Sequence, residues 1–350
     1  MKKKSLIWAT LALLIGSTAC ETISSETELE KKPVRLQLSL SSNATKVTGE
    51  TTQAEDNTIT TVDVFVFENP EENVGEKHLL DAYKRFTGSD LSDISLDCST
   101  GDKLVCVIAN SPYDNYANLV KLSEFRILYA QLNHERQKCL SMYGETTATL
   151  DQSSQSLQIP VTRFASKVSL TTIKTNFAGT TLEGKEISNV KIYLINAYAG
   201  KFFRTNTDMD PAMIFNKGML MKSDINFLDD SSILVENITT NLTDAGLSET
   251  YTFYCYENIT NNIPNCTMLV IQGDINGSTY YYPVPINQEQ FGYQASNEHY
   301  GIRRNTCYSV GVTITGLGSD NPTTPIYTGA IDVTIEPEDW TSVPHFDKVF

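Results

Sequence analysis

The sequence is poor in the residues from which enzymes usually build their chemistry. Four histidines occur in 350 residues, His78, His134, His299 and His345, and none stands in a metal spacing such as H-E-x-x-H. No C-x-x-C pair is present, which leaves zinc-ribbon and thioredoxin-like readings without support. The G-x-S-x-G elbow, the Walker A loop and the Rossmann glycine fingerprint are missing as well. Positive charge is scarce: 27 Lys and Arg face 42 Asp and Glu, a formal net charge of -15, and no basic stretch follows the first four residues. That balance argues against a nucleic-acid partner, whose phosphates would be repelled.

The acidic residues that are present do not assemble into a recognisable site. No two carboxylates are singled out as a glycosidase pair, and a solvated acidic surface accounts for their number. Asp208-Met209-Asp210 and Asp274-Ile275-Asn276-Gly277 resemble fragments of a calcium loop but lack the later ligands and the terminal glutamate, so they read as turns. His134 and Cys139 fall near one predicted helix without a third ligand. No catalytic residue, metal or cofactor is expected.

What the chain does have begins at its first residues. Met1-Lys2-Lys3-Lys4, an apolar run from Leu6 to Ile15, and Gly16-Ser17-Thr18-Ala19 form a secretory signal over residues 1–19, too short to span a membrane. Cys20 follows directly, where bacterial lipoproteins carry the thiol that accepts diacylglycerol, although Ser17 stands where Leu is usual. Lipidation of Cys20 is expected, and several acyl chains anchor far more firmly than one. Export would permit disulfides among Cys98, Cys106, Cys139, Cys255, Cys266 and Cys307, with Cys98–Cys106 and Cys255–Cys266 as hairpin neighbours; small buried thiols are the simpler reading. The glycosylation sequons at Asn237, Asn241, Asn258, Asn265 and Asn276 carry little meaning if the host is bacterial, as the signal with its cysteine suggests. The remaining length, about 330 residues, suits two domains.

Hydrophobic periodicity is mostly of period two. Val34, Leu36, Leu38 and Leu40 alternate with Arg35, Gln37 and Ser39, which predicts a half-buried strand ahead of everything else. Residues 41–61 are polar and read as an exposed, cleavable linker. Val62 to Phe67 and Leu104 to Ala109 are β-branched or aromatic runs bounded by turn residues, as in strands covered on both faces. Leu119, Leu122, Phe125, Leu128, Tyr129 and Leu132 recur at three- and four-residue steps and predict one amphipathic helix. Further strands are expected over Arg163 to Ile173, Val190 to Ile195, Tyr251 to Tyr256, Met268 to Ile271, Tyr280 to Ile286, Tyr308 to Thr315 and Ala330 to Ile335. Thr175-Asn176-Phe177-Ala178-Gly179 is the candidate domain boundary. Many short strands between Gly, Asn and Pro turns indicate an all-β chain of two β-sandwiches with a short helical segment in the first.

Four blocks resemble FimA-type fimbrillins, the major subunits of the type V pili of Bacteroidales. The most specific is Arg304-Asn305-Thr306-Cys307-Tyr308, opening an alternating strand that ends in Thr313-Ile314-Thr315-Gly316-Leu317-Gly318 and is followed by Ile331 to Ile335 and Trp340. The others are Phe253-Tyr254-Cys255-Tyr256-Glu257-Asn258 with Thr267 to Ile271, Arg163-Phe164-Ala165-Ser166-Lys167-Val168, and Leu104 to Asn110. Together they span nearly the whole chain after the signal.

The resemblance implies two transthyretin-like sandwiches, here 47–177 and 178–350, preceded by a lipidated propeptide over 20–46 that carries the first strand. It also implies assembly by strand exchange: a surface protease cuts behind the first strand, and the vacated groove accepts a strand from the C-terminal region of the next subunit. The family cut follows an arginine; the best-placed basic residue here is Lys46, ahead of Val47, which departs from that pattern. Donor candidates are Ile331, Val333 and Ile335, then Val343, Phe346, Val349 and Phe350 in the tail. The implied role is a shaft subunit, an outer-membrane lipoprotein during export and later part of the surface fimbrium. Its implied partners are further copies of itself, accessory pilus subunits, the protease and unidentified surface receptors. An accessory, tip or anchor adhesin is the first alternative. The second is a glycan-binding lipoprotein using Tyr280-Tyr281-Tyr282 as an aromatic platform.

Overall fold

The β-branched and aromatic runs become the middle of the fold. A computed structural model describes residues 31–42, 58–68, 78–113, 116, 118–135, 139–153, 155–198, 200–203, 235–289, 291, 300–326 and 331–339. Residues from Lys32 onward form one compact unit. Its first half contains β1 (Pro33–Ser42), β2 (Thr61–Glu68), β3 (Leu80–Thr87), β4 (Ile94–Ser99), β5 (Gly101–Ala109), β6 (Tyr129–Gln131), β7 (Met142–Leu150) and β8 (Gln155–Arg163). Seven of these hydrogen-bond in the order β3-β2-β5-β7-β8-β1-β4.

Strand β8 joins two leaves. Its last residues, Thr162 and Arg163, pair with Tyr143 and Met142 of β7, whereas Gln155 to Val161 run parallel to β1. The leaf β3-β2-β5-β7 and the leaf β8-β1-β4 share one apolar core, in which Val62, Val64 and Val66 meet Leu36, Leu38 and Leu40. The other face of β2 carries Phe65 and Phe67, which pack on Phe125 with ring centroids 4.9 and 5.4 Å apart. Strands β2 and β5 are thus covered on both faces, as their continuous apolar runs require.

The helical expectation is met only in part. Helix α1 covers Leu122–Arg126, with Glu124 accepting hydrogen bonds from the backbone N–H groups of Val120 (2.8 Å) and Lys121 (3.0 Å). Beyond Leu128 the chain becomes β6, paired antiparallel with β11 (Gly200–Phe202), and then a 3-10 turn over Leu132–His134. Leu119, Leu122, Phe125 and Leu132 are all buried as the pattern demanded. A segment this short gains more from strand pairing and core contacts than from a costly helix nucleus.

The second half is built from β9 (Ala165–Thr175), β10 (Ser188–Ile195), β12 (Val235–Asn237), β13 (Tyr251–Tyr256), β15 (Met268–Ile275), β16 (Ser278–Pro285), β18 (Thr306–Ile314) and β19 (Ile331–Asp339). They form two sheets, β12-β10-β15-β16 and β13-β9-β18-β19. A short pair, β14 (Asn258–Ile259) with β17 (Gly301–Ile302), lies beside them. Asn276 and Gly277, both at positive φ, close the β15–β16 hairpin, so the Asp274 fragment is turn chemistry. Hydrogen bonding changes sheet at Phe164; of the stretch from Thr175 to Gly179, Thr175 ends β9 and residues 176–179 open the connection to β10.

The two halves repeat one topology. Strand β1 is antiparallel to β4 and parallel to β8; β9 is likewise antiparallel to β13 and parallel to β18. The facing leaf β3-β2-β5-β7 corresponds to β12-β10-β15-β16, with antiparallel pairs throughout.

Candidate functional site: the seat of the first strand

Strand β1 is a central strand, although it opens the described chain. Its register with β4 runs from Pro33↔Ser99 to Leu38↔Ile94, and its register with β8 from Leu36↔Gln155 to Ser42↔Val161. Alternation does the rest: Val34, Leu36, Leu38 and Leu40 all point inward and are at most 6% exposed. They lie in one core with Ile94, Leu96 and Cys98 of β4, Ile159 and Val161 of β8, and the valines of the facing leaf.

The outward face of β1 is polar and weakly held. Arg35 reaches Asp97 at 3.5 Å, with both side chains largely in solvent, and donates to Ser95 Oγ at 2.7 Å. At the N-terminal end, Lys32 N–H donates to Thr100 Oγ1 (3.0 Å) while its carbonyl accepts from Thr100 N–H (2.8 Å). An exposed ion pair of this kind is worth under about 1 kcal/mol. Burial of the four apolar side chains dominates, at about 6 to 12 kcal/mol gross.

Among the described residues strand β4 has β1 as its only strand neighbour in the sheet. Its far end is fastened to the facing leaf by polar groups instead. Asp81 of β3 accepts from Ser99 N–H (2.8 Å) and Ser99 Oγ–H (2.9 Å), and Lys103 of β5 reaches Asp81 Oδ2 and Ser99 Oγ, both at 2.8 Å. Burial pulls the Asp81 pKa upward, but the hydrogen bonds from Lys103 and Ser99 outweigh it and leave the carboxyl below the usual carboxylate range. Beside this cluster, burial and the Asp81 charge push the Cys98 thiol up to about 11.

The other expected sites are distributed as follows. Cys20, Lys46, Val47, Val343, Phe346, Val349 and Phe350 lie outside the described residues. Ile331, Val333 and Ile335 are on β19, an edge strand antiparallel to β18, with Val333 half-buried and Ile335 in the core. The structure therefore keeps β19 in its own sheet, away from the β1 ladder. Cys98, Cys106, Cys139, Cys255, Cys266 and Cys307 form no disulfide among the described residues. Cys98 and Cys106 face different cores, as do Cys255 and Cys266, which separates both suggested pairs. Tyr282 is buried and Tyr280 and Tyr281 are half-buried against the core, so they do not make an exposed platform. Among the described residues no three His, Cys, Asp or Glu side chains are grouped to hold a metal ion.

The motif residues around Arg163, Asn258 and Asn305 prove to be scaffolding where the second half begins, while the block Leu104 to Asn110 is β5 from Leu104 onward with the residue after it, and its Val105, Val107 and Ala109 line the core under β1. Arg163, fully buried, donates to Asn305 Oδ1 at 3.1 Å, and Asn305 N–H donates to the Ala165 carbonyl. Ser166 Oγ–H donates to the Arg303 carbonyl, while Tyr308 OH accepts from Arg303 N–H and donates to the Gly301 carbonyl. Asn258 donates to the carbonyls of Asn196 and Asn265. Two walls of the seat, in contrast, went unremarked in the sequence. The alternation of Ile94, Leu96 and Cys98 and that of Leu157, Ile159 and Val161 are the signals that could have found them.

Comparison with known proteins follows the same division. Residues 34–196 match the major fimbrial subunit proteins (FimA), and residues 164–340 match the C-terminal domain of Fim1C-like fimbrium tip subunits. A candidate fimbrium tip subunit of Parabacteroides distasonis, Fim1C, is 24% identical over 275 residues, 69% of each chain. A fimbrilin (FimA) from Porphyromonas gingivalis W83 superposes with a TM-score of 0.58 at 17% identity, covering 89% of this chain and 99% of that one. A candidate cell adhesion protein from Parabacteroides distasonis gives 0.65 at 18% identity, covering 89% and 98%.

Proposed function

The chain belongs to the Bacteroidales fimbrillin family, and from that premise we propose that its first strand is a removable plug whose seat receives a strand from a neighbouring subunit. The protein is a subunit of a cell-surface fimbrium and not an enzyme. In the proposed sequence of events it is exported as a lipoprotein on Cys20, and a trypsin-like protease cuts between Lys46 and Val47. Release of β1 then exposes two unpaired strand edges, β4 and β8, above an apolar floor. Such a groove does not stay empty, because an incoming strand restores both the ladder and the buried area. The contact is head-to-tail and does not close on itself, so it propagates a filament.

The observation that carries this reading is the central place of β1, with four buried side chains and neighbours on both sides. Its gross burial rivals the net stability of an ordinary domain, about 5 to 15 kcal/mol, so losing it must be compensated. The donor is assigned to Ile331, Val333 and Ile335, or to the tail with Val343, Phe346, Val349 and Phe350, which makes this a shaft subunit. The match of residues 164–340 to tip-subunit domains supports a second reading, a tip subunit that only receives. Removing residues 341–350 separates the two, since a tip protein tolerates the loss.

The test uses the pairing of Val34 with Cys98. Facing residues of an antiparallel pair have Cα atoms about 4.5 to 5.5 Å apart, within disulfide reach. A Val34→Cys protein oxidised to bond Cys98 is expected to be processed yet fail to polymerise, and to polymerise once reduced. Equal polymerisation of the oxidised and reduced forms would contradict the plug.

A further inference from the structure

The unused feature of the seat is the half-buried cluster Asp81–Ser99–Lys103, in which Lys103 alone is fully buried. Resting on the reading of β1 as a plug, we propose that this cluster is a clamp that holds β4 in place while the seat is empty, with Asp81 as its positioning residue. Removing β1 takes away the backbone ladder that β4 makes among the described residues, where β4 ends the sheet and β1 is its only strand neighbour. Without β1, strand β4 keeps its chain connections to β3 and β5, the apolar packing of Ile94, Leu96 and Cys98, and two polar attachments to the facing leaf. Lys84 Nζ of β3 donates to the Ser95 carbonyl at 3.3 Å, and Asp81 with Lys103 grips both the backbone and the hydroxyl of Ser99 at 2.8–2.9 Å.

The second attachment is the stronger one. Lys103 is 1% exposed and Asp81 15%, so their ion pair is sheltered from water and salt. Hydrogen bonds to charged groups are worth about twice neutral ones. The clamp links three strands, β3, β4 and β5, at the end of the seat where Pro33 enters beside Ser99. It therefore keeps one of the two edges aligned for the incoming strand. A seat with a wandering β4 would offer only β8.

The experiment uses the full chain carrying a single engineered protease cut within residues 43–57, so that β1 remains seated but is no longer tethered behind. The probe is an excess of a fluorescent synthetic peptide of residues 33–42. Wild-type cut protein is expected to exchange β1 for the peptide. Asp81→Asn should take up the peptide about ten- to a hundredfold less tightly, with hydrogen exchange of Ile94 to Ser99 accelerated to match. The uncut Asp81→Asn chain should keep Ile94 to Ser99 protected nearly as in wild type, because β1 still holds β4.

Ser99→Ala, which loses one hydroxyl and keeps the backbone contact, should show the same cut-dependent effect at a smaller size; it decides the matter if Asp81→Asn is already disordered uncut. Equal peptide affinity in wild type and both variants, or in Ser99→Ala alone in that case, overturns the clamp while leaving the plug intact. No peptide uptake by cut wild type overturns the plug itself, and the clamp with it.

Discussion

The molecule contains the same strand position twice, and the two copies differ in how the chain enters and leaves them. Strand β1 and strand β9 each sit between an antiparallel neighbour and a parallel one, over a facing antiparallel leaf. Strand β9 follows β8 after a single buried residue, Phe164, and leads into β10 through residues 176–187, a connection of successive turns between Phe177 and Lys185. Strand β1 precedes a polar stretch and follows the segment whose sequence predicts a secretory signal. Strand β9 is thus joined to folded strands on both sides, whereas on the proposed reading the connection behind β1 is cut and packing alone is left to hold it. The lesson is that an exchangeable strand needs no special ladder; it needs one severable connection.

The largest expected effect comes from moving the cut between the two positions. A cut engineered within residues 43–57 should convert monomer to polymer, whereas a cut engineered at 178–186, after β9, should leave the protein monomeric. The thiols report the same contrast internally, because Cys98 stands opposite Val34 on β4 and Cys255 opposite Ser166 on β13. Burial pushes their pKa values up to about 11 and about 12, so both should resist alkylation at pH 8 in the intact chain. When β1 leaves, Cys98 should become modifiable and Cys255 should not. Modification of both, or of neither, followed by peptide mass mapping, would break the comparison.

An intermediate effect is expected from core truncation. Leu36→Ala and Leu170→Ala each remove a fully buried side chain, at a cost of about 2 to 5 kcal/mol. Both should lower stability in urea, but only Leu36→Ala should speed the loss of β1 from the cut chain. If Leu170→Ala releases β9 as a separable strand, the covalent explanation of the difference is wrong.

The smallest effect concerns pH and lies in the first half alone. Asp63 of β2 is buried, and desolvation raises its pKa from 3.8 to about 6 despite a hydrogen bond from Tyr83 and the charge of Arg85. A folded-state pKa above the unfolded value means that the folded form holds the extra proton between those limits. Its contribution to stability therefore rises as pH falls from about 7 to about 4, by roughly 2 kcal/mol. Asp63→Asn should remove that share of the slope in urea unfolding measured at several pH values; an unchanged slope would show that Asp63 is not the group responsible.

Much of this was legible in the sequence where one rule acts alone. The alternation of Val34 to Leu40 fixes which side chains enter the core, and the unbroken apolar runs of β2 and β5 announce burial on both faces. The stretch from Leu119 to Leu132 was legible as buried but not as strand and turn, since pairing with β11 is a contact some seventy residues away along the chain. Topology stayed hidden for the same reason: nothing local tells that β1 lies between β4 and β8. The clamp was equally invisible, because Asp81, Ser99 and Lys103 acquire their meaning only when three strands meet. Most of the recurrent motifs pointed to the family but marked the framework around Arg163 and Asn305; only the block Leu104 to Asn110 contributes to the floor of the seat.

The central claim is that β1 departs before assembly. The most direct measurement is the N-terminal residue of this protein in sheared surface filaments, determined by mass spectrometry. The account predicts Val47, with Cys20 and the strand from Pro33 to Ser42 both gone. Filaments whose subunits begin at an acylated Cys20 would contradict it, because the plug would still be in its seat.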